Sequence, residues 1–360
     1  MKETRSSRRH NVPTVGDVAA HAGVSPMTVS RVVSGKGGVR DEMRKRVEAA
    51  VAALKYAPNA AARTLAGGEE IRIGLLHSNP SFAYLSEFLV GSLDQASRSN
   101  VQMLVEKCDD ARDAEAAVAH LVSARVDGIV LPPPLSDSPA VLDVIRATGL
   151  PIVAVATGRA PDWALSVSID DHRAAYDMTR HLGALGHRRI GFIIGNPNQA
   201  ASAERLAGHR AALADMALED APELIEQGLF TYRSGLAAAE VLLALPDPPT
   251  AIFASNDDMA AASVAIAHRR GLDVPSDLTV CGFDDTALAT TIWPELTTIR
   301  QPVTEMSRKA VELLVQAIRA QRAGDAEVLA DPHMLVDYTL IRRQSDAVPR
   351  SAPTARRHLG

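Results

Sequence analysis

The spacing of hydrophobic residues divides this chain into two parts of different character. Up to about residue 68, apolar residues recur at the spacing typical of short amphipathic helices. From Ile71 onward, short apolar runs alternate with helical stretches, and the last residues show no periodicity. The pattern predicts an all-α unit, then a larger α/β unit over residues 70–344, and a disordered tail at residues 345–360.

The all-α part begins with two helices joined by a tight turn. Thr14 is a favourable N-cap for a helix over about Val15 to Ala22, and Gly23 supplies the turn. Ser25 then caps a second helix that begins at Pro26. Its inward residues are Val29, Val32 and Val33, and its outward residues are Pro26, Met27, Ser30, Arg31 and Ser34. Two helices connected in this way form a helix-turn-helix, whose second helix enters the major groove of DNA.

A third helix is predicted over about Asp41 to Leu54, so that the helix-turn-helix domain covers residues 14–58. Its core-facing residues are Met43, Val47, Ala50, Val51 and Leu54. A Pro-Asn break follows, after which Asn59 can cap a short helix over Ala60 to Ala66. So short a helix is unstable alone in water, and we therefore expect residues 59–69 to order only when they dock on a partner.

The α/β part contains eight predicted strands with helices between them. The strands are IRIGLLH, VQMLVEK, VDGIVLP, PIVAVAT, SVSID, RIGFIIG, AIFASN and LTVCGFD. The helices are Ala83–Ser97, Ala114–Ser123, Ser138–Ala147, Asp171–Leu185, Ala201–Asp215, Arg233–Ala244, Asp257–Arg270 and Thr304–Arg322. This alternation predicts two parallel-sheet lobes, at about 70–168 with 300–327 and about 169–299 with 328–344, and a ligand crevice at the carboxyl ends of the strands.

Charge is distributed unevenly along the chain. Residues 1–68 hold 12 Lys and Arg against 5 Asp and Glu, a net charge of +7, whereas all 360 residues together carry −5. A basic head on an acidic body indicates a polyanionic partner for the head, although a solvated basic face produces the same count. Residues 1–13 are basic and aperiodic, and we expect them to form a disordered arm.

Several functional classes are disfavoured by what the sequence lacks. No apolar run is long enough to cross a membrane, and the N-terminus has no apolar signal segment, so we expect a cytoplasmic, nucleoid-associated protein. Cys108 and Cys281 are far apart in sequence and indicate neither a disulfide framework nor a zinc site. Without HExxH, GxSxG or a GxGxxG after a strand, neither an enzyme nor a bound cofactor or metal is predicted.

Two motifs of the head are specific in combination. They read VGDVAAHAGVS followed by TVSRVVSG, and YAPNAAARTLAGG. They resemble the helix-turn-helix and the hinge helix of the LacI/GalR family of bacterial transcription regulators. The resemblance implies base-edge contacts from Pro26, Met27 and Arg31, and a minor-groove wedge from Leu65 of paired hinge helices. The implied DNA-contacting residues are Thr14, Ser25, Pro26, Met27, Thr28, Ser30, Arg31, Arg40, Asn59, Ala62, Leu65 and Ala66.

Two details of the head depart from the family pattern. Arg40 stands where a Ser or Thr commonly caps the third helix, so Arg40 contacts phosphate or Asp41 caps one residue later. Pro26 and Met27 carry no hydrogen-bonding side chain, and apolar contacts to a thymine methyl group are expected of them. Arg31 is then the candidate for bidentate guanine readout, with a phosphate contact as the alternative.

The body carries five further motifs, LGALGHRRIGFI, SAERLAGHRAAL, FASNDDMAAA, GFDD and PELTTIRQP. They resemble the effector domain of the same family, whose lobes are similar to periplasmic sugar-binding proteins. The resemblance places eight residues at the effector: Asn79, Phe82, Tyr84, Arg205, Phe230, Asn256, Asp284 and Gln301. Asp284 could instead cap a turn, Phe230 could be a core residue and Asn79 a turn residue. Ala156 and the Pro132-Pro133-Pro134 run make the first-lobe wall more apolar than is usual in the family.

The sequence therefore predicts a homodimeric regulator that binds a palindromic double-stranded operator. The first interpretation is a repressor of carbohydrate-utilisation genes, and a small sugar releases this repressor from DNA. The alternative is a co-repressor-dependent regulator whose ligand is a nucleobase or a phosphorylated metabolite. The head argues against a sugar-binding protein that does not contact DNA. Because the tail lacks leucine heptads, we expect a dimer whose first lobes pair through the helix that begins near Tyr84.

Overall fold

The structure is a computed structural model that describes residues 13–33, 38–56, 70–78, 80–109, 111–158, 160–324 and 332–350. The chain divides into two compact units, Met1–Glu70 and Ile71–Gly360. Most of the predicted arm, the predicted hinge helix and the last ten residues of the predicted tail lie outside the described residues. Within the described residues, no helix is both long enough and apolar enough to cross a membrane.

The described residues of the first unit form three helices: α1 (Val15–Ala22), α2 (Pro26–Val33) and α3 (Asp41–Ala53). A capping box begins α1, because the Thr14 hydroxyl accepts the Asp17 N–H while the Asp17 carboxylate accepts the Thr14 N–H. Gly23 ends α1 with φ 63°, a left-handed conformation that glycine adopts without strain. The Ser25 hydroxyl then accepts the N–H of Thr28 and so caps α2. The predicted helix-turn-helix is confirmed.

A small apolar core holds these three helices together. Its buried members are Val18, Ala19, Ala22, Val29, Val47, Ala50 and Tyr56. Val33 and Met43, predicted as core residues, are exposed instead. Both predictions were wrong because a helix in so small a bundle buries only a narrow stripe, and α2 has one fully buried residue.

The start of α3 differs from the expectation that Asp41 caps this helix. Arg40 is the N-cap, with extended backbone and no side-chain cap hydrogen bond. Asp41 is already helical, so the expectation that it caps one residue later was wrong. Asp41 and Glu42 lie in the first turn, where negative charge is favourable beside the unpaired N–H groups of the helix.

The second unit contains two six-stranded sheets flanked by helices. Its strands β1–β12 are Ile71–His77, Val101–Lys107, Gly128–Leu131, Ile152–Val155, Leu165–Ser168, Ile190–Ile194, Ile225–Gln227, Ala251–Ala254, Thr279–Asp284, Thr297–Arg300, His333–Leu335 and Thr339–Ile341. Its helices α4–α12 are Phe82–Ser99, Ala111–Ser123, Pro139–Arg146, Asp171–Ala184, Ala200–Asp215, Tyr232–Leu242, Asp257–Arg269, Leu288–Thr291 and Val303–Ala323. Short 3-10 helices cover Leu135–Asp137 and Pro222–Leu224.

Each sheet is the core of one lobe. The first has the strand order β11-β5-β4-β3-β1-β2, and the second has β12-β10-β9-β8-β6-β7. Neighbouring strands run parallel except β12, which is antiparallel to β10. Strands such as β3 and β4 are buried along their whole length, as expected where helices cover both faces. The predicted two-lobed α/β fold is confirmed.

The structure differs from the predicted lobe boundaries near the C-terminus. Strand β11 pairs with β5 in the first sheet, although residues 328–344 had been assigned to the second lobe. Residues 345–350 were expected to be disordered, yet Ser345 donates to Val280 O and Asp346 accepts from Thr297 in the second lobe. Four strands of three or four residues, β7, β10, β11 and β12, were not predicted, because such short runs carry too few apolar positions to show a period.

Helix α12 returns the chain to the first lobe, where it packs along α4. Gly91 makes this close approach possible, because a Cβ atom there would lie 2.1 Å from the Ser307 hydroxyl and 2.2 Å from the Thr304 carbonyl oxygen. The chain thus crosses between the lobes three times, after β5, after β10 and between β11 and β12. The carboxyl ends of the parallel strands of both sheets face the cleft between the lobes.

Candidate functional site

A cleft between the two lobes gathers most of the predicted effector residues. It is lined by Ser81, Tyr84, Pro133, Ala156, Gln199, Ala201, Arg205, Phe230, Asn256, Asp284 and Gln301. Six of the eight predicted residues are among them. Phe82 is not, and its side chain is 85% exposed at the start of α4. Asn79 lies outside the described residues.

Arg205 of α8 lies at the centre of the cleft, where it is bonded to two neighbouring groups. Its Nε donates to Asp171 Oδ1 at 2.7 Å, and its Nη1 donates to the Ser255 carbonyl oxygen. The guanidinium also lies over the Phe283 ring, with Cζ 3.5 Å from the ring centroid. Asp284 adds a second carboxylate 3.9 Å from Nη1. The cation is therefore held by two acidic groups and an aromatic ring in a buried position.

Two polar atoms of the cleft are buried without a hydrogen-bond partner among the described residues: Tyr84 Oη and Gln301 Oε1. The amide of Gln301 donates to Asp284 Oδ1 at 3.1 Å, which fixes the side chain and leaves its oxygen unpaired. Burial raises the pKa of Asp284 well above its usual range, although the Arg205 guanidinium opposes that shift. A phenol donor, an amide acceptor and a carboxyl group therefore converge on one small volume.

Asn256 is occupied mainly with local structure. Its Oδ1 accepts the N–H of Met259 and so caps α10, while its Nδ2 donates to the Phe230 carbonyl oxygen and to Asp258. Both amide hydrogens are thus used within the protein. Only the second lone pair of Oδ1 remains for a ligand.

The backbone of the cleft is unusually constrained. Ala156, Phe230 and Asp284 line the cleft with φ values of 52°, 59° and 107°, in a region that side-chain-bearing residues rarely adopt. The ring of Phe230 lies over Gly195, where a Cβ atom would come within 1.9 Å of the ring. Gly195 therefore gives the aromatic ring its place at the second-lobe wall.

The two lobes also contact each other directly across the cleft. Ser81 of the first lobe donates to Asp258 of the second at 2.7 Å. On the other side, Asp137 of the first lobe accepts the N–H of Ala200, at the start of α8, at 3.0 Å. The free volume inside the cleft is only about 30 Å³. Because small-molecule pockets typically occupy about 300–1,000 Å³, the cleft must widen to admit a ligand.

Sequence reasoning missed four contributors to this site: Ser81, Gln199, Ala201 and Asp171. Asp171 begins a helix directly after a predicted strand, so the strand-end rule could have found it. Ser81 and Gln199 precede helices in loops with no distinguishing motif. Within the described residues, no group of three or more His, Cys, Asp or Glu side chains is arranged to hold a metal.

The predicted DNA-contacting residues of the first unit differ in how exposed their side chains are. Pro26, Met27 and Arg31 are exposed on α2, with Met27 at 66%. Arg40 is exposed before α3. The hydroxyls of Thr14 and Ser25 cap helices, and Thr28 and Ser30 are half-buried. Asn59, Ala62, Leu65 and Ala66 lie outside the described residues.

Comparisons with known proteins match both units. Residues 14–59 match the family described as bacterial regulatory proteins, lacI family, and residues 179–345 match the periplasmic binding protein-like domain. Catabolite control protein A of Priestia megaterium is 32% identical over 89% of this chain and 97% of its own length.

Two solved structures extend the comparison. The lac repressor dimer bound to operator and the anti-inducer ONPF is similar with a TM-score of 0.76 and 28% identity, over 94% of this chain and all of that one. The transcriptional regulator CelR in complex with cellobiose has a TM-score of 0.69 and 29% identity, over 92% of this chain and 99% of that one.

A helix-turn-helix head followed by a two-lobed α/β unit is the arrangement of these relatives, and they are transcription regulators rather than enzymes. The similarity to the relative from Priestia megaterium covers nearly its whole length. The chain therefore belongs to the lacI family of bacterial regulatory proteins and is a DNA-binding transcription regulator.

Proposed function

We propose that this chain is a homodimeric repressor of carbohydrate-utilisation genes, released from a palindromic operator when a neutral sugar occupies the cleft. The proposal rests above all on the state of Arg205, whose charge is already balanced by Asp171 and Asp284. Beside it, Tyr84 Oη and Gln301 Oε1 are buried and unpaired in the described structure. Such atoms favour a ligand that supplies hydroxyl donors and acceptors.

The charge of the cleft argues against the alternative ligand classes. Arg205 is the single Lys or Arg among its described lining residues. A phosphorylated metabolite would need a cation whose charge is not already offset, and Arg205 is paired with Asp171 and Asp284. A neutral, hydroxyl-rich ring fits the cleft better than a phosphate does. Its apolar face can pack on Phe230, while its hydroxyls bond Tyr84 Oη and Gln301 Oε1. The cellobiose complex of a relative is consistent with this ligand class.

The exposed face of α2 is proposed to read the operator. Pro26 and Met27 offer apolar contacts and Arg31 a guanidinium, a set suited to a thymine methyl group beside a guanine. Arg40 is proposed to contact phosphate. Asn59, Ala62, Leu65 and Ala66 are assigned to the hinge helix on the family resemblance alone, with Leu65 as the wedge in the minor groove.

Homodimerisation is supported by apolar side chains on the first lobe. Val90 and Leu93 of α4 are 58% and 52% exposed, one helical turn apart on the same face. The related lac repressor was solved as a dimer on operator DNA. Two copies paired through α4 would present two heads to the two halves of a palindrome.

The sign of the response follows from the two states that the ligand must distinguish. A sugar changes operator affinity only by binding the DNA-free and DNA-bound forms differently. We propose that sugar binding rearranges the contacts between the lobes, shifts the α4 pairing and separates the hinge helices. Operator affinity then falls.

A screen of sugars, sugar acids and sugar phosphates by thermal shift, followed by operator binding, tests this proposal. A ligand present at 100 times its Kd stabilises the protein by about 2.7 kcal/mol, which is readily measured. The neutral sugar that stabilises the chain most should weaken operator binding in fluorescence anisotropy. Stabilisation by nucleobases or phosphorylated sugars alone, or a sugar that tightens operator binding, would contradict the proposal.

A further inference from the structure

A second cavity lies between the lobes beside the cleft, and we call it the outer cavity. It has a volume of about 510 Å³. Its first-lobe wall comes from the 3-10 helix Leu135–Asp137, the start of α6 and the loop at Trp163, and its second-lobe wall from residues 197–203. The cleft itself has only about 30 Å³ of free volume, so the outer cavity is much the larger of these two spaces.

Gln199 connects the two spaces, because it lines both the cleft and the outer cavity. Its side chain is only 6% exposed. Its backbone N–H donates to the Asn196 carbonyl and its carbonyl accepts the N–H of Ser202, whereas its side-chain amide is not bonded to a described residue. An amide that lines both spaces can bond a ligand that passes from one to the other.

Ser136 provides a second unpaired polar group in the outer cavity. Its Oγ is buried and has no partner among the described residues. Its neighbour Asp137 is held in place, since its carboxylate accepts from the Thr157 hydroxyl at 2.6 Å and from the N–H of Ala200 at 3.0 Å. Ser136 therefore lies on a fixed segment, and its hydroxyl is able to bond a ligand.

Trp163 gives the outer cavity an aromatic surface. The indole packs against the apolar core of the first lobe, with the Arg146 guanidinium 5.7 Å from its ring centroid. The charged residues of the described lining are Asp137 and Asp143, both acidic. An aromatic ring, isolated hydroxyl and amide groups and no basic residue among the described lining residues suit a neutral ring with one apolar face.

We propose that the outer cavity is a second sugar subsite and that the effector is a two-ring carbohydrate, a disaccharide or a glycoside. One ring occupies the cleft, the linkage passes Gln199, and the second ring rests on Trp163 with a hydroxyl bonded to Ser136. This inference rests on the proposed sugar-binding function and narrows its ligand to molecules that are too long for the cleft alone.

The first test compares matched sugars by isothermal titration calorimetry on the full chain. The pairs are glucose with cellobiose, maltose or trehalose, and galactose with lactose. At least one disaccharide should bind at least tenfold more tightly than its monosaccharide. Trp163→Ala should remove that advantage, whereas Trp293→Phe, at a side chain that is 74% exposed on the second lobe, should retain it.

The second test uses fluorescence and does not depend on how well Trp163→Ala folds. The chain has two tryptophans, so Trp293→Phe leaves Trp163 as the single emitter. The preferred disaccharide should shift the Trp163 emission at saturation, and the matched monosaccharide should leave it in place.

Each outcome of these tests bears on the inference. A monosaccharide that binds as tightly as every disaccharide would overturn the second subsite and leave the proposed function standing. The same conclusion follows from a disaccharide advantage that survives Trp163→Ala or that does not change the Trp163 emission. If no sugar of either size binds, the proposed function itself is rejected, and the subsite with it.

Discussion

Arg205 Nε lies 2.7 Å from Asp171 Oδ1, and both side chains are buried. The pair joins the first turn of α7 to the second turn of α8, beneath the cleft floor. It holds the guanidinium over the Phe283 ring and so determines which of its N–H groups can face a ligand.

Removing one member of this pair should destabilise the second unit strongly. Asp171→Ala leaves Arg205 buried beside Asp284 alone, and breaking a buried ion pair in this way typically costs about 3–5 kcal/mol. Urea unfolding measures the loss. Glu204→Ala, an exposed neighbour of Arg205 on α8, is the matched control and should change stability by less than about 0.5 kcal/mol. Equal stabilities of the two variants would contradict the structural role of the pair.

Tyr84→Phe should affect stability and ligand binding in opposite directions. Because the Tyr84 hydroxyl is buried and unpaired, its removal should leave the free protein as stable as before or stabilise it by up to about 1 kcal/mol. Sugar affinity should fall by about five- to tenfold, the loss of one hydrogen bond. Tyr176→Phe removes a hydroxyl that bonds Asp215, away from the cleft, and should leave sugar affinity unchanged. An unchanged affinity in Tyr84→Phe would remove this hydroxyl from the site.

Arg31→Ala distinguishes base readout from a phosphate contact. If Arg31 reads a guanine, the variant loses about 1–3 kcal/mol on the operator and no longer discriminates the base at that one position. Arg40→Ala should instead weaken binding to all sequences alike and reduce the salt dependence by about one counterion. Anisotropy titrations against single-base operator variants at several salt concentrations measure both effects. A uniform loss for Arg31→Ala would make Arg31 a phosphate contact.

Leu65→Ala tests the hinge wedge. A wedge unstacks a base step and bends the duplex, and the bent duplex makes more contacts with the protein. The variant should therefore lose operator bending and at least tenfold in specific affinity. Non-specific, salt-sensitive binding through the basic head should persist. Circular-permutation gel shifts report the bend, and random-sequence DNA is the control. An operator that remains bent and tightly bound would contradict the assignment of Leu65.

Asp257→Asn should change how stability depends on pH. Burial raises the pKa of Asp257 to about 7, while its carboxylate accepts from Thr286 and Thr298. The folded state therefore keeps a proton that the unfolded chain releases near pH 4, and stability from this group falls as the pH rises from about 4 to about 7. The slope is at most about 1.4 kcal/mol per pH unit.

The comparison of variant with wild type isolates this effect, because His209 has the opposite sign. Burial lowers the pKa of His209 to about 3, so its contribution is lost as the pH falls below about 6.5. Thermal unfolding between pH 4 and pH 8 should show a flatter decline towards neutral pH for Asp257→Asn than for the wild type. If the stability–pH curves of the variant and the wild type were parallel, the pKa of Asp257 would be the same in the folded and unfolded states.

The sequence allowed the cleft to be located more reliably than it allowed individual roles to be assigned. Tyr84, Arg205 and Asp284 follow strands or begin helices at the lobe junction, so the strand-end rule and the family motifs both identify them. Phe82 lies two residues before Tyr84 on α4 yet is exposed, because a helix turns each successive side chain by about 100°. Which of these neighbours faces inward depends on how the helix packs in the tertiary structure.

Pairings that join distant parts of the chain were equally hidden. The Asp171–Arg205 bond spans 34 residues and Ser81–Asp258 spans 177, and no local pattern encodes either. The same limit applies to β11 and β12, which are stabilised as strands by sheet edges formed at least 39 residues earlier. Short segments of this kind take their structure from the surface on which they pack.

The three crossings between the lobes have a consequence for folding. The first lobe is built from β1–β5, α12 and β11. The second lobe is built from β6–β10 and β12. Neither lobe is a continuous fragment, so neither can complete its sheet before β11 or β12 has been synthesised. Residues 71–350 should consequently lose their structure in one cooperative transition, and a chain that ends at Ala323 should lack an edge strand in both halves.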